Sequence, residues 1–286
     1  MDNLDTTISH WVGKVPNQQW IKEDDNLESI GSTLPDTIAD SRPLSEVHSL
    51  DLSLFVVFEE AALRVSGALT RSAPTLDTMN FSAQQTLDEA RHHEIFLRRL
   101  EESRSYQGKA GTGINEAILI PPLRNFLDRC YEIVDRGEFV EGLSLMNLVF
   151  EGMAYPLYAY EQRYWEPVDP YLSSLVRSAF ADEARHVTYG AQLVSELLKG
   201  DTKRKARVNK LCKDASQLMD EVFSYYVRKF VKLFDAVARQ HKGLFADAEF
   251  APGRKIFDTP YEEQIKTIHA SIEKQHNQLI TRAGIA

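Results

Sequence analysis

Apolar residues recur at helical spacing along most of this chain. A spacing of three or four residues lines one face of a helix, so these stretches predict amphipathic or largely buried helices. No stretch sustains the alternation that is typical of a strand, and Pro and Gly positions separate the helical stretches. The predicted helices cover about residues 45–70, 81–105, 115–135, 138–165, 170–199, 203–241 and 259–282.

Prolines and capping residues set the expected helix boundaries. Pro43 allows the first helix to begin just after it, at Leu44 or Ser45. Asn80 or Ser82 would be a suitable N-cap for the second helix, since their side-chain oxygens can accept a backbone N–H.

A capping residue and three prolines also mark the later helices. Asp169 is expected to cap the fifth helix, and Pro156 predicts a kink inside the fourth, because proline removes a backbone donor. Pro121 and Pro122 should interrupt or kink the third helix.

The chain is expected to form one large helical domain. Residues 1–44 lack sustained periodicity and indicate an extended or partly ordered arm. Residues 45–286 then form the domain, in which 45–200 is the core and 201–286 supplies additional helices.

A five-residue polar sequence occurs twice within the predicted helices. Asp-Glu-Ala-Arg-His spans residues 88–92 and returns at 182–186. Each copy contains Glu-x-x-His, and residues three apart on a helix lie on the same face. In dimetal helix bundles, two such helices face two others that each supply one Glu. The repeat therefore predicts a metal centre if a lone Glu precedes each copy.

A glutamate inside an apolar stretch does precede each copy. Glu59 stands before the first copy at nearly the separation at which Glu151 stands before the second, as two antiparallel helix hairpins of similar length require. Glu60 is the competitor for the first position, one residue on and rotated by about 100°. The expected metal ligands are Glu59, Glu89, His92, Glu151, Glu183 and His186.

The donor set indicates how many ions would fit, and which. Four carboxylates carry four negative charges and two neutral imidazoles carry none, so two divalent ions would balance the site. Oxygen donors mixed with imidazole suit iron or manganese. The alternative is that the pentapeptide is a charged surface segment of a helix. Two identical copies, each preceded by a Glu in an apolar stretch, favour the metal centre.

An aspartate stands directly before the expected glutamate ligand in each copy. Asp88 and Asp182 can accept the outer N–H of an imidazole and fix its tautomer. Arg91 and Arg185 could then neutralise these aspartates. Because the pair recurs beside both histidines, we favour this role over a solvated surface pair.

Composition restricts the partners and the compartment. A net charge of -9 and a pI near 5.4 argue against nucleic acid, which requires a concentrated basic face. The longest apolar run, residues 54–58, is too short to span a bilayer, and residues 1–20 lack a signal pattern. Two cysteines are too few for a disulfide framework. We expect a cytoplasmic protein with neither a nucleic-acid nor a membrane partner.

The order Glu, Glu-x-x-His, Glu, Glu-x-x-His resembles that of the ferritin-like carboxylate-bridged di-iron proteins. The Asp-Glu-x-Arg-His form looks most like the hydroxylase subunits of bacterial multicomponent monooxygenases. The spacing from Glu59 to Glu89 also matches those subunits, which is why Glu59 is preferred to Glu60. The resemblance covers about residues 50–195. It implies an all-α fold, a ferritin-like four-helix bundle core with additional C-terminal helices.

Three positions depart from the patterns of related groups. Tyr155 stands one turn after Glu151, where the hydroxylases usually have Thr, and is the candidate catalytic residue. Phe96 stands where the radical-generating subunit of ribonucleotide reductase usually has its Tyr, which disfavours a stable tyrosyl radical. Ala179 stands where the arylamine N-oxygenases, which the chain also resembles, add a His.

The resemblance implies a non-haem di-iron enzyme that activates O2. It would hydroxylate, N-oxygenate or desaturate a small organic substrate, using two iron ions or a manganese–iron pair and electrons from a reductase or ferredoxin. A homodimer is an expected assembly.

Two competing interpretations remain. One is a ferroxidase or peroxide-handling ferritin-like protein, against which the residues after Gly200 count, because added helices more naturally close a pocket. The other is a helical interaction protein with a vestigial metal site.

Overall fold

The computed structural model describes residues 33–103 and 118–285. Within these residues the fold is all-α apart from one short hairpin, as the sequence predicts. The helices are α1 (Asp36–Asp40), α2 (Arg42–Ser72), α3 (Leu76–Glu101), α4 (Pro121–Asp135), α5 (Phe139–Ser144), α6 (Glu151–Trp165), α7 (Pro170–Leu197), α8 (Thr202–Gln240), α9 (Lys242–Phe245) and α10 (Tyr261–Arg282). A π-helical segment, Leu145–Phe150, joins α5 to α6.

Four long helical units form the bundle core. Helix α2 packs along α3, and α6 packs along α7, which gives the two hairpins expected from the sequence. Helix α8 crosses α4 and the π-helical segment, while α10 packs on α6. None of the helices in the described ranges is both long and apolar enough to cross a membrane.

Several helix boundaries differ from the prediction. Helix α3 begins at Leu76, so Asn80 and Ser82 lie inside it and the predicted caps are wrong. Thr75 caps it instead, because its Oγ1 accepts the N–H of Thr78 at 3.2 Å while the Thr78 hydroxyl accepts the N–H of Thr75 at 3.1 Å.

The first and third predicted helices, which are α2 and α4 of the structure, also begin at other residues than predicted. Helix α2 begins at Arg42 with Ser41 as its cap, which places Pro43 in the first turn, where its missing N–H costs nothing. Together with α1, this helix occupies residues that were expected to belong to the arm; residues 1–32 lie outside the described ranges. Helix α4 begins at Pro121, and residues 115–117 of the predicted helix also lie outside those ranges.

A β-hairpin occupies the predicted loop around Pro252. Strand β1 (Glu249–Ala251) pairs with β2 (Arg254–Lys255) in antiparallel register. Gly253 has a φ of 70°, which glycine adopts at no steric cost and which allows this tight turn.

The π-helical segment is the main backbone feature that the periodicity does not reveal. Its Asn147 lies against Gly190 of α7, where a Cβ atom would come within 2.4 Å of the Asn147 Cβ. Glycine therefore permits the close approach of α7. Such segments are frequent at functional sites, and this one leads directly into Glu151.

A buried ion-pair network fixes the start of α7. Asp169 caps this helix as predicted and accepts the N–H of Leu172 at 3.0 Å. The fully buried Arg99 donates from Nε and Nη2 to the two Asp169 oxygens at 3.0 and 2.7 Å. His48 Nε2 lies 2.9 Å from Asp169 Oδ2. The network joins α2 and α3 to the start of α7.

Candidate metal centre

The bundle places the six predicted ligands at one buried spot between its four helical units. Glu59 comes from α2, Glu151 from α6, and each Glu-x-x-His pair from α3 or α7. All six side chains are buried, with at most 6% of their surface exposed. Glu60 lies outside the spot and accepts two hydrogen bonds from Arg64 on the surface of α2.

The ligands fall into two overlapping groups. Within each group one donor atom per residue can be chosen so that all lie within 4.8 Å of one another. Glu89 and Glu183 belong to both groups, as bridging carboxylates would. The groups are Glu59, Glu89, His92 and Glu183, and Glu89, Glu151, Glu183 and His186.

Both histidines point Nδ1 at the carboxylates. His92 Nδ1 lies 3.5 Å from oxygens of Glu59, Glu89 and Glu183. His186 Nδ1 lies 3.1 Å from Glu89 and 3.5 Å from Glu183. Nδ1 is therefore the nitrogen that each imidazole would offer to an ion.

The outer nitrogens pair across the two copies of the repeat. His92 Nε2 lies 3.2 Å from Asp182, and His186 Nε2 lies 3.2 Å from Asp88. Each aspartate thus orients the histidine of the other copy. A hydrogen bond from Nε2–H keeps Nδ1 unprotonated and free to bind a metal.

The two arginines are distributed unequally. Arg91 and Arg185 both donate to Asp182, one to each carboxylate oxygen, while Arg185 lies 3.8 Å from Asp88. Burial alone would raise the pKa of Asp182, but the hydrogen bond from His92 and the two guanidinium groups lower this pKa to about 2. Asp182 is therefore held as an anion beside His92.

Unpaired polar atoms converge on the centre of the cluster. Both oxygens of Glu89, Oε2 of Glu183 and Nδ1 of both histidines are buried without a hydrogen-bond partner in the described ranges. Buried polar atoms are normally paired, and leaving charged ones unpaired is costly. Divalent ions would satisfy all five atoms, so the donor set fits a pair of metal ions.

Proton uptake is the alternative way to balance the buried charge. Burial raises the pKa of Glu59 to about 8. Burial, together with repulsion from Glu183 and Glu89, raises the pKa of Glu151 well above its usual value. Ions that bind these carboxylates would displace the protons, so metal binding should release protons.

Three polar residues that contact the ligand glutamates were not predicted from the sequence. Gln85 donates to Oε1 of Glu151 at 2.7 Å and Asn147 to its Oε2 at 2.9 Å. The Tyr158 hydroxyl donates to Oε1 of Glu59 at 2.8 Å. Helical spacing offered a signal, because Gln85 and Asn147 each precede a ligand glutamate by four residues and so share its face.

Burial, together with the charge of the ligand Glu183, raises the pKa of the predicted catalytic Tyr155. Its half-buried ring stacks on Phe180 at a centroid distance of 4.6 Å and borders clefts next to α10. Phe96 is fully buried and stacks on Phe55 at 4.2 Å. The tyrosine that contacts a predicted ligand is Tyr158, and a catalytic role for Tyr155 stays a prediction.

An apolar cavity adjoins the cluster. A space of about 20 Å³ lies among the four glutamates, and Phe58, Ala154 and Tyr158 separate it from a cavity of about 70 Å³. Side chains of α2, α6, α8 and α10 line this cavity, and most are aromatic or aliphatic. The helices after residue 200 thus close an apolar pocket beside the ligands.

No protein-family model matches the sequence, and no curated protein matches it either. Solved structures do match. An R2-like ligand-binding oxidase with a Mn/Fe cofactor has a TM-score of 0.58 and 16% identity. The match covers 85% of this chain and 81% of the oxidase chain, or 82% of the chain of a variant. A variant of that oxidase with an Fe/Fe cofactor has a TM-score of 0.60 and 17% identity, over 88% and 85% of the two chains.

A further match is a Synechococcus protein with aldehyde deformylating oxidase activity. Its TM-score is 0.54 at 17% identity, over 85% of this chain and 98% of that one. These similarities confirm that the chain has the ferritin-like all-α fold.

Proposed function

We propose that this chain is an O2-dependent oxidoreductase whose six buried ligands hold two iron ions or one manganese and one iron. The sharing of Glu89 and Glu183 between the two ligand groups carries the proposal, because it is the arrangement that two adjacent ions need. Such a metal pair, when bound, supplies the electrons that reduce O2. The Mn/Fe and Fe/Fe cofactors of the oxidases with this fold support the same choice of metals.

The surrounding residues prepare the ligands for that role. Asp88 and Asp182 hold the histidine tautomers through Nε2. Gln85 and Asn147 fix the orientation of the Glu151 carboxylate, and Tyr158 does the same for Glu59. Rigid support of this kind keeps metal ligands within narrow geometric limits.

The substrate is proposed to be a small organic molecule. An apolar cavity beside the ligands can hold such a molecule and exclude water, whereas iron or peroxide would not need it. Hydroxylation, desaturation and N-oxygenation are the candidate reactions, with a reductase or ferredoxin as electron donor. The neighbours named ligand-binding oxidase and aldehyde deformylating oxidase support an organic substrate.

Metal analysis combined with oxygen consumption tests this function. Protein reconstituted without O2 is expected to retain about two ions per chain, as the charge balance requires, and then to consume O2 when a chemical reductant is present. One ion or fewer per chain would refute the proposal. Repeated oxidation of added Fe²⁺, with release of ferric iron, would instead support the ferroxidase alternative.

Asp182→Asn is expected to lower turnover more than metal content. The amide can still accept a hydrogen bond from His92 but lacks the charge that raises the basicity of the imidazole. Changes to such outer partners typically cost about 10- to 100-fold. Turnover of reductant-dependent O2 consumption and metal content should be measured together. Asp128→Asn on the exposed face of α4 is the control, and equal turnover in both variants would contradict this role of Asp182.

A further inference from the structure

Two carboxyl groups that are not among the predicted metal ligands line the apolar cavity. Asp51 of α2 has 1% of its surface exposed and accepts the indole N–H of Trp165 at 2.6 Å. Glu161 of α6 lines the same cavity. Its Oε2 is shut off from solvent and has no hydrogen-bond partner in the part of the chain that the structure describes. Neither residue belongs to the metal-ligand groups.

Helix geometry separates Asp51 from the metal end of the cavity. Phe58 and Ala154 border both the cavity and the space among the ligand glutamates. With a rise of 1.5 Å per residue, Asp51 lies about 12 Å along α2 from Glu59. Glu161 lies nearer, one turn of α6 from Tyr158, which also borders both spaces. The cavity therefore has a polar end and a metal end, joined by an apolar wall.

Among residues 33–103 and 118–285, no cationic side chain forms an ion pair with Asp51 or Glu161. Burial raises the pKa of Asp51 to about 7, and burial together with the Asp51 and Glu59 charges raises the pKa of Glu161 well above its usual value. A cation placed between the two groups would offset the cost of burying their charges.

Aromatic rings surround the polar end. Trp165, which bonds Asp51, lies 6.2 Å from Phe230 between ring centroids, and Tyr164 lies 5.3 Å from Phe230. Tyr164 and Phe230 also line the cavity. Aromatic faces next to carboxylates are a favourable environment for an organic ammonium group.

We propose that Asp51 and Glu161 bind the protonated nitrogen of an amphiphilic amine, whose apolar chain extends along the cavity toward Glu59. This inference rests on the proposed function and specifies its substrate class. A nitrogen held against Asp51 lies about 12 Å along α2 from Glu59. The atom presented for oxidation is therefore a carbon near the opposite end of the molecule, which favours hydroxylation or desaturation over N-oxygenation.

Binding of three chain-matched probes tests the proposal. Octylamine, 1-octanol and octanoate share an octyl chain and differ in whether the head group is cationic, neutral or anionic. Isothermal titration calorimetry on the full chain, with and without metal, should give octylamine about tenfold tighter binding than 1-octanol, because hydrogen bonds to a charged group are stronger than neutral ones. Octanoate should bind weakest.

Variants assign the preference to the carboxyl pair. Glu161→Gln is expected to bring the affinities for octylamine and 1-octanol to within about threefold, since neutral hydrogen bonds remain. Asp51→Asn, which can still accept the Trp165 N–H, provides a second test if Glu161→Gln fails to fold. Glu60→Gln, on the exposed side of α2, should retain the full preference for the amine.

The results separate this inference from the proposed function. Equal binding of amine and alcohol by the unmodified chain, or an amine preference that survives in both Glu161→Gln and Asp51→Asn, would overturn the inference. Two ions per chain with reductant-dependent O2 consumption would leave the proposed function intact in that case. Conversely, failure to bind two ions would refute the proposed function, while calorimetry without metal would still measure the amine preference.

Discussion

Glu183→Ala is expected to abolish binding of both metal ions, whereas Glu59→Ala should remove only one. Glu183 belongs to both ligand groups, and Glu59 belongs to one. Elemental analysis of reconstituted protein should give close to zero ions per chain for the first variant and about one for the second. The loss of O2 consumption in Glu183→Ala should exceed the roughly 100-fold upper range for outer partners of metal ligands.

Glu60→Ala is the matched control for these variants. Glu60 pairs with Arg64 at the surface, so its removal should leave both ions in place. Circular dichroism should first establish that every variant is folded. If Glu59→Ala and Glu183→Ala lost equal amounts of metal, the assignment of Glu183 as a shared ligand would be wrong. If only Glu60→Ala lost metal, the first ligand would be misassigned by one residue.

Arg99→Met is expected to lower the free energy of unfolding by about 3–5 kcal/mol. The Arg99 side chain is fully buried and donates two hydrogen bonds to Asp169, while its Nη1 donates to Glu102 at 2.5 Å. Methionine fills similar space but leaves the Asp169 charge without its main partner. Urea denaturation of the metal-free protein measures this loss without a contribution from bound ions.

Arg98→Met is the matched control for Arg99→Met. Arg98 is exposed and pairs with Glu94 one turn away on α3. Exposed pairs of this kind contribute about 0.3–0.5 kcal/mol, so Arg98→Met should change stability little. A loss in Arg99→Met no larger than that in Arg98→Met would show that the buried network does not stabilise the start of α7.

The helix extents and the metal ligands could be predicted from the sequence because they depend on the geometry of single helices. The extents of α7, α8 and α10 follow from apolar periodicity to within a few residues. The six predicted ligands converge because Glu-x-x-His spacing is a property of a single helix, and because the two hairpins have similar lengths. Neither inference needs knowledge of how the helices rotate against one another.

The remaining features depend on packing between segments distant in sequence. The π-helical segment is supported by the approach of Asn147 to Gly190, which no periodicity reveals. The contact between Tyr158 and Glu59 depends on how α6 is rotated against α2. The start of α3 is a different case, because its capping box uses two threonines after a proline, in a stretch that also suits a loop.

Asp88 pairs with His186 and Asp182 pairs with His92, so the two repeats contact each other reciprocally, as the subunits of a symmetric dimer do. In an isologous interface, residue i of one subunit contacts residue j of the other, and j contacts i in return. Here both halves of that relation lie within one polypeptide. Neither hairpin could orient its own histidine in isolation. The site is therefore a product of the association of the two hairpins and not of either half.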